Sequence, residues 1–300
     1  MARSRGRRAP ARPRRRTPRA RRRNEAPRDG RPDGPSVAPA GRGVARGLVQ
    51  GPAVSALLAL DTSTEWASVA IFDGTAVLAE ETWHAQRRHA EDLFPTIERL
   101  IALSRAPFKA VDKVAVATGP GSFTGLRVAI AAAQGIARGS GAALVGVSTL
   151  DVLAYPHASS KLRTCPLLPA GRGEFYAALY QERNRKWARR SPFIVGPLVD
   201  VCRQIGTHTL FVGEIDQEAE STLRDLLGPL ALFAPPASRM RRAGYLAELG
   251  WNELAERRQA PLGALEPIYV RQPAVGGSFA QPFAPPPADD AALGLPKRSA

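Results

Sequence analysis

The chain has 300 residues, 44% of them hydrophobic, which is enough for one large or two medium domains with a real core. Its net charge of +15 is unevenly placed: residues 1–53 hold 16 arginines against Glu25, Asp29 and Asp33, which is +13 and leaves +2 for residues 54–300. Only Cys165 and Cys202 occur, with no C-x-x-C, so a disulfide framework and a cysteine zinc site are excluded and a reducing, cytoplasmic setting is expected. No apolar run reaches membrane-spanning length.

Residues 1–53 are rich in Arg, Pro, Gly and Ala, lack aromatics, and are expected to form a disordered extension. Three readings are open for it: an arm that binds RNA through phosphates, a targeting peptide, or an over-extended reading frame whose start lies near Val54, the last or a passive tail being preferred. The apolar stretch 47–60 is short and broken by Pro52, so a first core strand is preferred to a secretory segment. The strand Ser55–Leu60 ends in the polar run Asp61-Thr62-Ser63-Thr64. Trp66–Phe72 and Ala76–Trp83 read as two strands joined by an Asp73-Gly74 turn. A helix over Ala90–Ser104 puts Leu93, Ile97, Leu100 and Ile101 on one face, with Pro95 acceptable in its first turn.

The strand Val111–Ala117 then runs into Gly119-Pro120-Gly121-Ser122-Phe123-Thr124-Gly125 and a helix from Thr124 to Arg138. Ser122 and Thr124 are candidate caps. A glycine loop entering a helix aims several N–H groups at one point, so the loop either holds a phosphate or simply turns the chain. It is neither a P-loop nor G-x-G-x-x-G. The helix is rich in small residues (Ala129, Ala131, Ala132, Ala133, Gly135, Ala137), which suits close packing. The strand Ala143–Val147 leads to Ser148-Thr149-Leu150-Asp151, a capping-box-like helix start. The second half offers strands Cys165–Leu168 and Glu174–Gln181, an Arg/Lys-rich turn over Arg183–Arg190, a helix Leu198–Ile205, a strand Thr209–Val212, and helices Gln217–Leu227 and Ser238–Arg258. Glu266–Arg271 closes the ordered chain, and residues 272–300, with six prolines, are expected to be a loose tail.

This order points to an α/β protein of two actin-like (ribonuclease H-like) lobes, residues 54–160 and 161–271, with disordered tails at both ends. In actin-like ATPase folds a strand-end Asp hairpin and a later glycine loop both face phosphates. That makes Asp61, Thr62, Ser63, Gly119, Gly121, Ser122 and Thr124 the candidate nucleotide- or phosphate-facing residues. The competing role for Asp61 is to cap its own hairpin through Thr62 and Ser63. His84 and His89 are five apart, not the spacing that puts two metal ligands on one helix face, and His89 is expected to orient the helix start. Trp66 and Tyr176 are expected in the core, while Arg127 has phosphate, partner carboxylate and solvent open to it. No nucleophile–base–orienter set or metal cluster assembles, so no catalytic residue, metal or bound cofactor is assigned.

Four runs carry a resemblance: Ala59-Leu60-Asp61-Thr62-Ser63-Thr64, Arg88-His89-Ala90-Glu91-Asp92-Leu93-Phe94-Pro95, Gly119-Pro120-Gly121-Ser122-Phe123-Thr124-Gly125-Leu126-Arg127 and Gly146-Val147-Ser148-Thr149-Leu150. Together they resemble the bacterial TsaB (YeaZ) family over about residues 55–272, with weaker support from Gly173-Glu174-Phe175-Tyr176 and Glu266–Arg271. The resemblance implies an actin-like, two-lobed, non-catalytic subunit. Its partner would be TsaD, a related protein that transfers threonylcarbamoyl onto adenosine in tRNA. It also implies a heterodimer with TsaD through the first lobe's helices, a third subunit, the ATPase TsaE, and tRNA reached through the complex. ATP or ADP would belong at a complex interface, and self-association is open when TsaD is absent. By position the two helices give Leu93, Ile97, Leu100, Leu126, Ile130, Ala133 and Ala137 as partner-interface candidates, with intramolecular core as their other role. The chain departs from the family at Pro169-Ala170-Gly171-Arg172-Gly173, where the Asp of an expected Asp-Ala-Arg is missing. Two rival readings stand beside this one: an ATP-dependent enzyme of the actin-like fold, and an RNA-binding protein that uses its basic arm.

Overall fold

The computed structural model of the chain describes residues 55–256, 258–261 and 263–270. The arginine-rich extension, Arg271 and the proline-rich tail lie outside the described residues.

Strand β1 (Ala56–Asp61) is buried along its whole length, as an unbroken apolar run demands of a central strand. It pairs antiparallel with β2 (Trp66–Phe72), which pairs antiparallel with β3 (Val77–His84). After α1 (His89–Ser104), β4 (Val111–Gly119) joins the other side of β1 in parallel. The chain crosses back through α2 (Phe123–Ser140) to β5 (Ala143–Ser148), parallel to β4. The sheet order is β3-β2-β1-β4-β5. Both helices cover one face, with Leu93, Ile97, Leu100, Ile130 and Ala133 packed on Leu58, Leu60 and Val116.

The short helix α3 (Thr149–Ala154) leads into a second sheet built from β6 (Arg163–Gly171), β7 (Glu174–Ala177), β8 (Tyr180–Arg183) and β9 (Lys186–Arg189). It is completed by β10 (Ile194–Pro197), β11 (Thr209–Gly213) and β12 (Ala231–Phe233). Its main path is β10-β7-β6-β11-β12. The pairings repeat those of the first sheet: two antiparallel steps on one side of the central strand and two parallel steps on the other. The same layout thus occurs twice, and the fold is the actin-like α/β fold. The second copy carries one addition, the β8–β9 hairpin paired to β6. Helices α4 (Leu198–Cys202) and α5 (Gln217–Leu227) pack on β6, β7 and β11 of this sheet.

Several elements differ from their sequence expectations. The stretch Arg183–Arg190 is mostly hairpin, and Glu174–Gln181 splits because β7 pairs with β10 while β8 pairs with β9. The expected helix Ser238–Arg258 begins only at Ala243, as α6 (Ala243–Ala255), because Pro235 and Pro236 hold a 3-10 turn and Arg242 is extended. Helix α6 follows the last strand of the second sheet in sequence, yet it covers the free face of the first sheet. Leu246, Ala247 and Leu249 bury against Leu57, Ala59, Ala115 and Val145. Its first N–H groups have no local cap. Ala243 N donates to Ser68 Oγ at 2.9 Å and Gly244 N to Glu80 Oε1 at 2.7 Å, so β2 and β3 cap it from across the fold. A domain boundary drawn at residue 160 therefore separates α6 from the sheet it packs on.

The expected capping box at Ser148–Asp151 does not form: Ser148 makes no side-chain cap bond, and Ser148 Oγ and Thr149 Oγ1 are buried without partners. Asp151 instead accepts a hydrogen bond from the Tyr180 hydroxyl, against which Trp187 stacks. Burial pushes the Asp151 carboxyl up, opposed by that hydroxyl and by Arg189. A raised folded value means stability that is full below the unfolded carboxylate range and is lost as pH rises through the folded value. Asp151→Asn keeps an acceptor for Tyr180 and removes the titration. Its melting temperature should exceed that of the parent by a few degrees at pH 8 and converge on it near pH 4, read by circular dichroism. A constant difference across pH would contradict this.

Candidate functional site

Asp61 ends β1 and is buried with Thr62 and Ser63. Its Oδ1 accepts from Ser63 N at 2.8 Å and Ser63 Oγ at 2.5 Å, an Asx-type closure of its own hairpin. The glycine loop meets this hairpin directly. Thr62 Oγ1 donates to Gly125 O at 2.6 Å and Ser122 N donates to Ser63 O at 2.6 Å. Ser122 caps α2 as expected, accepting from Gly125 N at 3.2 Å, while Thr124 is an exposed first-turn residue with no cap role. A Cβ on Gly121 would stand 2.2 Å from Ser63 O, and one on Gly125 would stand 2.0 Å from Thr62 O. These glycines are there for the approach of two backbones. Gly119, at φ 109°, turns beneath the incoming Ile268, whose N donates to Thr118 O. Of the groups offered to a phosphate by sequence, Asp61, Thr62, Ser63 and Ser122 are thus bonded within the paired loops.

The other Asp61 oxygen meets Arg241, which sequence reading missed. Arg241 Nε donates to Asp61 Oδ2 at 2.9 Å and Nη1 to Glu214 Oε1 at 2.7 Å. Its Nη2 donates to Thr64 Oγ1 at 2.7 Å and to Trp66 O at 2.9 Å. Thr64 in turn donates to Glu214 Oε1 at 2.5 Å. The Arg241 side chain is 3% exposed and Asp61 1%. Burial works against the Arg241 charge, but the Asp61 and Glu214 carboxylates outweigh it and hold the guanidinium above its ordinary value. Asp61 stands on the first sheet, and Glu214 follows β11 of the second. The arginine therefore spans the junction, at the side of a cleft of about 490 Å³ lined by Trp66, Gly173, Phe175, Asp216 and Arg239. A metal–nucleotide at Asp61 does not fit this arrangement, because a guanidinium already neutralises the carboxylate.

The remaining predicted residues fall into place around this junction. Leu93, Ile97, Leu100, Leu126, Ile130, Ala133 and Ala137 are at most 5% exposed and belong to the core, the other role left open for them by the sequence. The apolar period selects the face that packs on the sheet. The outer faces of α1 and α2 carry a shallow groove lined by Phe94, Phe108, Ala131, Gly135, Ile136 and Gly139. Trp66 is 37% exposed and lines the cleft edge-on to His84, so it is not a core residue. Arg127 lies over Phe123 and donates to Tyr269. His89 is buried, with Nδ1 unpartnered, and burial lowers its pKa against the pull of Asp61, Asp92 and Glu65. His84 faces Glu65 at 3.3 Å, apart from His89. Arg172 is exposed at the β6–β7 turn with φ 56°. No helix among the described residues is long and apolar enough to cross a membrane.

The fold and junction define a class: an actin-like α/β protein in which an arginine bridges the site where its two sheets meet. The TsaD family model, described as tRNA N6-adenosine threonylcarbamoyltransferase, matches residues 79–209. The tRNA threonylcarbamoyladenosine biosynthesis protein TsaB of Escherichia coli (strain K12) is 29% identical, covering 72% of this chain and 94% of that protein. Its namesake in Bacillus subtilis (strain 168) is 26% identical over 72% of this chain and 93% of its own length. The structure of YeaZ from Pseudomonas aeruginosa is 27% identical, with a TM-score of 0.61 over 72% of this chain and all of that one. Over nearly three quarters of its length the chain is similar to TsaB (YeaZ) proteins.

Removing Arg241 leaves two carboxylates facing each other without a counter-charge. Arg241→Met is expected to lose about 3–5 kcal/mol of stability in urea denaturation, the magnitude typical of breaking a buried pair from one side. Adding Asp61→Asn should return part of that loss. Independent, additive effects would show that the pair does not couple.

Proposed function

We propose that this chain is a non-catalytic subunit in the biosynthesis of threonylcarbamoyladenosine in tRNA, acting as scaffold and activator of a TsaD partner. The observation that carries the reading is Arg241 on Asp61. The one strand-end carboxylate that an actin-like enzyme would use for metal–nucleotide is neutralised internally, and the facing loop amide of Ser122 is bonded to Ser63. The same observation weighs against the ATP-dependent-enzyme alternative. The role of the similar TsaB proteins in threonylcarbamoyladenosine biosynthesis supports the assignment.

TsaD docks on the outer groove of α1 and α2. Phe94 and Phe108 are 51% and 45% exposed there, a poor arrangement for water-facing aromatics and a good one for anchors. Gly135 and Gly139 have nothing within 4 Å of an added Cβ, so they leave room for a partner helix to approach closely. The chain is then a helix–helix partner whose own core rows, Leu93 to Ala137, hold the docking face rigid. TsaE joins this pair, tRNA is reached through the complex, and two copies of the chain cover the groove when TsaD is absent.

The test is a reconstituted modification assay with the full chain, TsaD, TsaE, tRNA and threonylcarbamoyl-adenylate, each protein omitted in turn. Modification should require both this chain and TsaD. Modification or nucleotide turnover by this chain alone would overturn the reading. Gly135→Arg, placed in open space, should leave the melting temperature nearly unchanged and weaken TsaD association by about tenfold or more. Unchanged association, measured by calorimetry, would move the interface elsewhere.

A further inference from the structure

The folded body is nearly neutral, but its charge is not evenly spread. From Lys161 to Arg190, eight Lys and Arg stand against Glu174 and Glu182, a local +6 within residues 54–300 that total +2. The strand register sorts much of this charge onto one face. Thr164 pairs with Tyr180, Gln181 with Ala188 and Arg183 with Lys186. Tyr180 and Trp187 are buried and stacked, so the inner face is fixed. Alternation then puts Arg163, Arg183 and Lys186 on the outer face. Arg190 lies across the hairpin, donating to the carbonyls of Gln181 and Lys186. Lys161 is exposed two residues before Arg163.

The turn adds a second observation. Asn184 and Arg185 sit at φ 54° and 63°, the backbone of a two-residue primed turn whose second position ordinarily takes glycine. Here that position holds an exposed arginine in a disfavoured conformation, projecting a further charge at the tip. Among the described residues, none of Lys161, Arg163, Arg183, Arg185 and Lys186 forms an ion pair. No large hydrophobic side chain is exposed on this stretch, which disfavours a lipid surface, where apolar insertion normally accompanies the charge.

We propose that the outer face of the β8–β9 hairpin, with Lys161 and Arg163, is an RNA-phosphate contact surface. It rests on the assembly reading only for the identity of the RNA as transfer RNA. The charges are spaced along an extended ribbon with no exposed aromatic to stack on bases, so the contact positions the backbone and reads no sequence.

The extension of residues 1–53 is also basic, so affinity alone does not locate the contact. The full chain, alone and with TsaD, is cross-linked by ultraviolet light to an unmodified tRNA transcript, and RNA-linked peptides are mapped by mass spectrometry. Links within residues 161–190 are expected. The variant R163Q/R183Q/R185Q/K186Q should lose them and lower the slope of log affinity against log salt by about three. The charge-keeping variant R163K/R183K/R185K should retain both, which separates lost charge from lost fold. Links confined to residues 1–53, or an unchanged slope, would overturn the proposal. So would a glutamine variant that loses phosphatidylserine vesicles or TsaD while keeping RNA. Failure of the assembly reading looks different: the wild type would not support modification, whatever its cross-links.

Discussion

A guanidinium buried to 3% exposure survives in a fold only where carboxylates and acceptors surround it, and Arg241 has both. Its partners come from two places far apart in sequence: the end of β1 with the hairpin after it, and the residue following β11. Each partner has a second obligation. Asp61 closes its hairpin on Ser63, and Thr64 bonds Glu214 as well as Arg241. The arginine therefore fixes how the two sheets meet, and it also aims the chain into α6. Two residues later Ala243 and Gly244 are capped by Ser68 and Glu80. The cover of the first sheet's free face thus begins at the cleft.

That linkage explains why the nucleotide-like loops are so tightly joined. In a cleft that opens and closes around a ligand, loop amides must be free to meet it. Here Ser122 N and Thr62 Oγ1 bond across the two loops, at a separation only Gly121 and Gly125 allow. Those bonds join two loops of the first sheet, while a hinge between the sheets would have to break the bonds of Arg241 and Thr64 to Glu214. The arginine network favours one fixed relation between the sheets, which suits the scaffold role proposed for the chain.

What the sequence made legible was local. Strand β1, the hairpin, the glycine loop and the small-residue helix each show in a window of ten or so residues, because period and turn chemistry act at that range. Arg241 was invisible for the opposite reason: its partners are 27 to 180 residues away, and the stretch around it reads as the start of a helix. The short strands β10 and β12, of four and three residues, carry too little alternation to stand out. The residues offered for a partner fall in the core because apolar periodicity marks the buried stripe. In α2, Ala129, Ala133 and Ala137 form the inner row, and Ala131, Gly135 and Gly139 form an outer row at the same spacing. Composition cannot tell one row from the other; only the sheet beneath them does.

The two rows have different physical consequences. On the inside, alanine lets α2 sit close to β4 and transmits any displacement of the helix to the central sheet. On the outside, small residues leave a shallow trough flanked by the aromatic rings of Phe94 and Phe108. A partner that fills that trough presses on a helix whose N-terminus is the glycine loop, and that loop is bonded to the hairpin that holds Asp61. The outer groove proposed for docking and the arginine-bridged junction are therefore connected by short hydrogen bonds. The cleft of this fold, where an enzyme would place its chemistry, here braces the surface that another subunit would meet.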